Sequence, residues 1–413
     1  MLLPRMILVV VIAAVLTLFV AAGCNETNIE VIDPVIDVDT DESLPDGFVT
    51  GDRPDNPATT FQMPCPWREV ENPGDNPYFI ANLGADMIPT IDEPRFVSIK
   101  NAGALFNFEQ VIVCEIGDQV RAFPVRILLH HEIVNMCWDT PEGPRFSYLT
   151  YCPLVDAAVH FVHPYECHKP RRQAFGTSGG LLNGNLISFD RGTGARGGQG
   201  DGPPDLLVQL YAGGVFGSCA TVEPQFTSMS WALFQRLYPE GEVMTEETGT
   251  PPPEKGYSYD DHPYWQYWRS GDIWFPLDFD DNRGLYRMRQ VFGVLTPGGV
   301  RGYLAGGVDY VVNDVLGTDR VVVWRDATFN AAAAFEPVAF GDTLTFSFLG
   351  RESHGLPLYV DEETGSFWTF DGIAVDGPLK GERLPKVVGI RAFWFVWAAL
   401  YPEITLYRPD SES

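Results

Sequence analysis

Apolar and polar residues alternate in short runs along most of the chain, and an apolar stripe with helical spacing is rare. That pattern predicts many short strands and few helices. Val111–Glu115 and Val120–Phe123 flank Gly117-Asp118, which reads as a hairpin. Pro124 is suited to a helix start, so a helix is expected over Arg126–Asn135. Strands resume at Phe146–Tyr151, Ala157–Val162, Leu186–Phe189 and Leu207–Leu210, and Ser228–Leu237 reads as a closing helix. With 41 Gly and 33 Pro breaking up the chain, the expected fold class is α+β, predominantly antiparallel β with short helices.

Several of these elements recur in order. Gly117–Phe123 returns as Pro297–Tyr303, and Ile133-Val134-Asn135 as Val311-Val312-Asn313. Leu149–Ala158 aligns with Val323–Ala332, Phe189–Gly194 with Val360–Gly365, and Trp231–Glu240 with Trp394–Glu403. The last two blocks both end Leu-Tyr-Pro-Glu. Offsets that fall smoothly from 180 to 163 predict an internally duplicated domain, with copies near 104–245 and 287–408. The expected organisation is a signal segment 1–23, an acidic tether 24–60, a first copy within 61–250, an aromatic connecting strap 251–286, and a second, structural copy 287–408.

Composition changes the picture mainly at the N-terminus. Arg5 precedes the apolar run Met6–Val20, and Ala21-Ala22-Gly23-Cys24 follows. A basic flank, a short apolar run and small residues read as a secretory signal. Cys after Ala-Ala-Gly resembles the bacterial lipobox, which implies a lipidated Cys24 anchored to the membrane, while an uncleaved anchor helix is the alternative. Either reading exports the rest of the chain to the extracytoplasmic side of a bacterial cell envelope. Residues 25–51 are acidic and hold no Lys or Arg, as a solvated tether requires. Asp37-Val-Asp39-Thr-Asp41 imitates the start of a calcium loop but lacks its later Gly and Glu. The whole chain sets 28 Lys+Arg against 55 Asp+Glu, a net charge of −27, without the clustered cations that phosphate binding needs. Nucleic acid is therefore excluded as a partner. Six cysteines besides Cys24 suit an oxidising compartment, where one or two bridges are expected with Cys152 left free.

Candidate chemistry concentrates in the first copy. Five of the seven His lie between 130 and 168, with Cys152 and Cys167 among them, a ligand set suited to zinc or copper. His131-Glu132-Ile-Val-Asn135 falls one residue short of a zincin motif, since Asn replaces the second His. Three readings remain open. His131 and Cys152 hold a metal; Cys152 is a thiolate nucleophile with His131 as base and the Ser178-Gly179 amides as an anion pocket; or these are ordinary polar residues. His131, Glu132 and Cys152 are thus the catalytic candidates, and Asn135, Asp156, Ser178 and Gly179 the ligand-binding candidates. The second copy places Asp309, Tyr310 and Asp326 opposite His131, Glu132 and Cys152, so any such site exists once. Between the copies, eight aromatic residues fall within Tyr257–Phe275. They could stack on sugar rings, but such a strap more often packs across two domains and fixes their orientation.

His131–Asn135, Thr150-Tyr-Cys-Pro-Leu154, Phe175-Gly-Thr-Ser-Gly179 and Phe189-Asp-Arg191 resemble the bacterial and archaeal domain of unknown function family 3179, and Thr364–Trp368 and Gly377–Leu384 are similar to its closing motif. The resemblance covers about 90 to 408. It implies export and an envelope location, and carries no established activity. Val155 stands where typical members have a second Cys, Asp156 where Asn or Gly is usual, and Leu129-His130 where Trp is common. Dithiol chemistry is therefore not expected, which leaves a metal or small-ligand site, a Cys/His enzyme, or a structural and interaction module.

Overall fold

Gln110–Ile116 and Gln119–Pro124 form the first two strands of interest, β1 and β2, an antiparallel hairpin where the pattern puts one. The computed structural model describes residues 78–407 except 82, 166, 168–173, 194–204, 212, 217–220, 251–257, 279–282, 306 and 352–354. The signal segment, Cys24, the tether 24–60, Cys65, His168 and Cys219 lie outside the described residues.

Pro124 leads into helix α1 (Val125–His131), which ends four residues before the expected Asn135. Glu132 adopts φ +60° and donates its N–H to Leu128 O at 2.9 Å, and Ile133 opens strand β3 (Ile133–Thr140). His131 and Asn135 therefore share no helix face. Apolar spacing over five residues fits a helix or a strand equally, and the β-branched pair Ile133-Val134 favours the strand. Next come β4 (Gly143–Cys152), β5 (Ala157–Val162), β6 (Phe175–Leu182) and β7 (Asn185–Asp190). Leu206–Val208 continues as a strand, but Gln209–Tyr211 turns into a short 3-10 helix. The expected closing helix begins late. Phe226–Ser230 is strand β8 against β1, and helix α2 (Trp231–Leu237) follows. Ser230 caps it by accepting from Leu233 N. Strand β9 (Glu242–Met244) then pairs parallel with β2.

After helix α3 (Trp265–Ser270) the same order of elements returns. Strands β10 (Gln290–Thr296) and β11 (Gly299–Leu304) form a hairpin, and β12 (Tyr310–Leu316), β13 (Asp319–Asp326) and β14 (Ala331–Phe335) form an antiparallel trio. Strand β15 (Val388–Phe393) feeds helix α4 (Trp394–Leu400), and β16 (Thr405–Leu406) closes. The sheet order β15-β10-β11-β16 has the pattern of β8-β1-β2-β9, down to the final parallel pair. Asn135 clasps Phe175, donating Nδ2–H to its carbonyl and accepting its N–H at 2.9 Å each. Asn313 clasps Phe346 in the same way, also at 2.9 Å. The protein is thus α+β, mostly antiparallel sheet with a few short helices.

The halves meet through reciprocal contacts. Ser230 N–H donates to Phe329 O, and Phe393 N–H donates to Val155 O, both at 2.9 Å. One buried apolar cluster joins Ile112, Phe123 and Trp138 to Val291, Val388 and Trp397.

Candidate functional site

Cys152 ends β4, and a turn through Pro153 and Leu154 follows. The turn is gripped by the strap. Trp268 Nε1–H donates to Pro153 O at 2.7 Å, and the Tyr267 hydroxyl donates to Leu154 O at 3.1 Å. Trp268 also meets Phe393 edge-on, and Phe275 packs against Phe395. A Cβ on Gly184, which sits at φ +77°, would lie 2.0 Å from the Phe275 ring, so the strap reaches the backbone there because no side chain intervenes. These aromatics pack across both halves.

The Cys152 thiol donates to Gly184 O at 3.6 Å and is buried. Burial, and after it the nearby Glu132 carboxyl, push the thiol up to about 12. A thiol so far above neutrality stays protonated and is a poor nucleophile. Glu132 is itself raised to about 8 by burial, against a hydrogen bond with Tyr264 that favours its charged form. Burial first, then Glu132 and Cys152, raise the Tyr264 phenol. The centre is a buried thiol and a buried carboxyl beside a half-buried phenol.

His131 is saturated. Its Nδ1 lies 2.7 Å from Pro89 O, a pure acceptor, so Nδ1 carries the proton. Nε2 then accepts from the Tyr259 hydroxyl at 2.6 Å. Burial lowers its pKa and keeps the ring neutral. With both nitrogens committed, neither a base nor a metal ligand is on offer without losing the Tyr259 bond. Cys152 is coupled to Glu132 rather than to His131. Among the described residues, no three His, Cys, Asp or Glu side chains converge on a point that could hold a metal.

The other candidates divide. Asn135 is consumed by the Phe175 clasp and by Asp92 at 2.8 Å. Ser178 Oγ donates to Ile187 O and accepts from Gly180 N. Gly179 sits at φ +75° where a Cβ would be 2.1 Å from Leu83 O. The expected anion pocket there is instead a packed joint between β6 and the segment around Leu83. Cys167, in the expected insertion loop, is disulfide-bonded to Cys137, while Cys114 and Cys152 are free and buried.

Asp156 remains. It follows β4 at φ +50°, accepts from Tyr151 OH at 2.7 Å and from Gln290 Nε2, and lines a cavity at the seam between the halves. Facing it are Ser228 from the first half and Arg325, Asn330 and Arg391 from the second. The cavity has a volume of about 20 Å3, where one water needs roughly 10–15 Å3. Arg325 and Arg391 escaped the sequence reading, and Tyr259, Tyr264 and Trp268 entered it only as members of the aromatic strap, without their partners His131, Glu132 and Pro153. The one signal for the arginines was their mismatch with Tyr151 and with Ser228, the residues that the comparison of the chain with itself aligns to them.

No curated protein and no solved structure matches the chain. The family motifs nevertheless meet in space: Tyr151 N–H donates to Glu132 O, Asn135 clasps Phe175, and Arg191 pairs with Asp92 beside Asn135. Residues 85–404 match the family model described as a protein of unknown function, and the chain belongs to this family, DUF3179.

Proposed function

We propose that this protein is an exported envelope lipoprotein, tethered to the membrane through Cys24, whose repeated β-rich unit binds a small ligand where the two copies meet. The observation that carries the reading is the seam cavity, walled by both halves and lined by Asp156, Arg325 and Arg391. Ligand sites favour such junctions, with a few convergent polar groups in a concave wall. The recurring sheet order and the paired Asn clasps support two copies of one unit. The Cys/His enzyme reading loses its support with Cys152 protonated and His131 saturated. The metal reading has no convergent ligand set among the described residues.

Cysteine labelling tests this. Ala332 lines the cavity and is partly exposed. In folded Ala332→Cys protein a small methanethiosulfonate reagent is expected to modify the new thiol, while Cys114 and Cys152 react only after denaturation. A residue 332 thiol that stays silent would remove the binding site, and a Cys152 reactive in the native state would restore the enzyme. For the anchor, cells fed a labelled fatty acid are expected to mark the protein. The Cys24→Ala variant should lose both the label and the membrane fraction.

A further inference from the structure

Most aromatic residues of the strap pack inward, but three do not. Among the described residues, Trp265, Trp274 and Tyr286 are the only exposed Trp and Tyr side chains, and all three belong to the strap. Trp274 and Tyr286 flank the end of helix α3. Trp274, 62% exposed, rests on the ring of buried Tyr267 with centroids 4.6 Å apart. Tyr286, 57% exposed, lies over Gly271, where a Cβ would stand 2.3 Å from its hydroxyl. Gly271 ends the helix at φ +71°, so glycine serves both the turn and the close approach of the ring. Three residues of chain lead from Gly271 to Trp274, which keeps their Cα atoms within about 11 Å. Both rings are thus seated before anything binds, which lowers the ordering cost to a ligand.

What stands bare is narrow. The apolar residues around the two rings, Ile273, Phe275, Leu277 and Leu285, pack against the core, while Ser270 and Asp272 beside them are exposed. Together the two rings offer less than about 300 Å2, well short of the roughly 800 Å2 that each partner gives a stable protein interface. An anionic bilayer or polymer is opposed by the chain's net charge of −27. An uncharged sugar meets both limits. A pyranose with equatorial hydroxyls lays a flat C–H face on an aromatic ring and turns its polar edge to an acceptor such as the Asp272 carboxylate. Linked β-1,4, such rings form a straight ribbon that lies over Trp274 and Tyr286 at once.

We propose that Trp274 and Tyr286 form a stacking platform for a strand of β-1,4-linked N-acetylglucosamine. The choice of sugar rests on the envelope reading, because a protein anchored at Cys24 faces a wall glycan that contains it; the platform itself does not. The acetamido methyl adds apolar contact, and its N–H adds a donor for Asp272. Trp265 is an internal control. It precedes Tyr267 by two residues, a rotation of about 200° around α3, and its exposed ring is flanked by Arg269 at 5.5 Å.

Calorimetric and fluorescence titration of the purified mature chain tests the platform. The probes are chitohexaose, cellohexaose with the same linkage but no acetamides, maltohexaose with a bending α-linkage, and a hyaluronan hexasaccharide that adds carboxylates. Saturable binding of chitohexaose with a blue shift of tryptophan emission is expected, and at least 5-fold weaker binding of the other three. Trp274→Ala should weaken chitohexaose at least 10-fold and abolish the shift, Trp274→Phe less, and Tyr286→Ala at least 5-fold. Trp265→Ala should bind as wild type does, with the folding of each variant checked by circular dichroism. No saturation by 5 mM chitohexaose, an unchanged Trp274→Ala, an equal loss in Trp265→Ala, or equal binding of any other probe would each overturn the proposal. Labelling of Cys24 and of residue 332 needs no sugar, so their success without chitohexaose binding would remove the platform alone. Chitohexaose binding by a chain that takes no lipid label would keep the platform and remove the envelope reading.

Discussion

Glu132 combines a left-handed backbone at φ +60° with a buried carboxyl beside a buried thiol. A non-glycine residue is held there only when its surroundings over-determine it. Here the fixing contacts are its N–H to Leu128 O and its carbonyl to Tyr151 N–H. The carboxyl gives a pH signature. Its folded pKa of about 8 lies above the ordinary value of 4.5, so the folded state keeps the proton longer than the unfolded chain does. Stability owed to this residue is complete in acid, falls as pH rises from about 4.5 to about 8, and levels off beyond. Glu132→Gln should abolish that fall. The difference between wild type and variant, from urea unfolding at pH 5 and pH 8, should shift by roughly 3 kcal/mol in the variant's favour. A difference that does not change with pH would refute the burial of this carboxyl.

Among the elements, the Asn–Phe clasps tie one sheet to the next in each half. Asn135 is buried, whereas Asn313 is exposed. Removing a partner inside the core leaves bare amide groups, while water replaces it at the surface. Asn135→Ala should therefore cost about 2–3 kcal/mol and Asn313→Ala under about 1 kcal/mol, measured by urea midpoints. Equal losses would contradict the burial difference. At this scale the chain was largely legible. Short apolar runs bounded by turn residues placed β1, β2, β4 and β5, and these strands are buried on both faces over most of their length. Helix α1 was overextended because nothing in His131–Asn135 announces a left-handed residue at 132. Asn135 was singled out as a ligand, though its amide is spent on Phe175.

For the whole molecule, the buried cluster that joins Ile112 and Trp138 to Val291 and Trp397 makes each half a wall of the other's core. Unfolding should be one cooperative step, with tryptophan fluorescence and far-ultraviolet circular dichroism changing together. A polypeptide of residues 287–408 alone, stripped of that wall, should not fold; separate transitions or an independently folded second half would contradict the shared core. This is also the scale at which the candidate site was least legible. Tyr259, Tyr264 and Trp268 act on residues more than a hundred positions earlier, and Arg325 and Arg391 face Asp156 only because the halves are packed together. Composition of the strap announced packing, but the pattern along one strand carries no record of what lies across a seam.

The exchanged hydrogen bonds, Ser230 to Phe329 and Phe393 to Val155, are those two identical chains would make about a two-fold axis. A homodimer of that kind must show the same wall twice. Doubling the first-half wall would leave the cavity with two negative charges, and doubling the second would leave it with four positive ones. Joined in one polypeptide, the two walls are free to change separately. A mixed lining of one carboxylate and two guanidiniums is open to a fused pair and closed to a symmetric one.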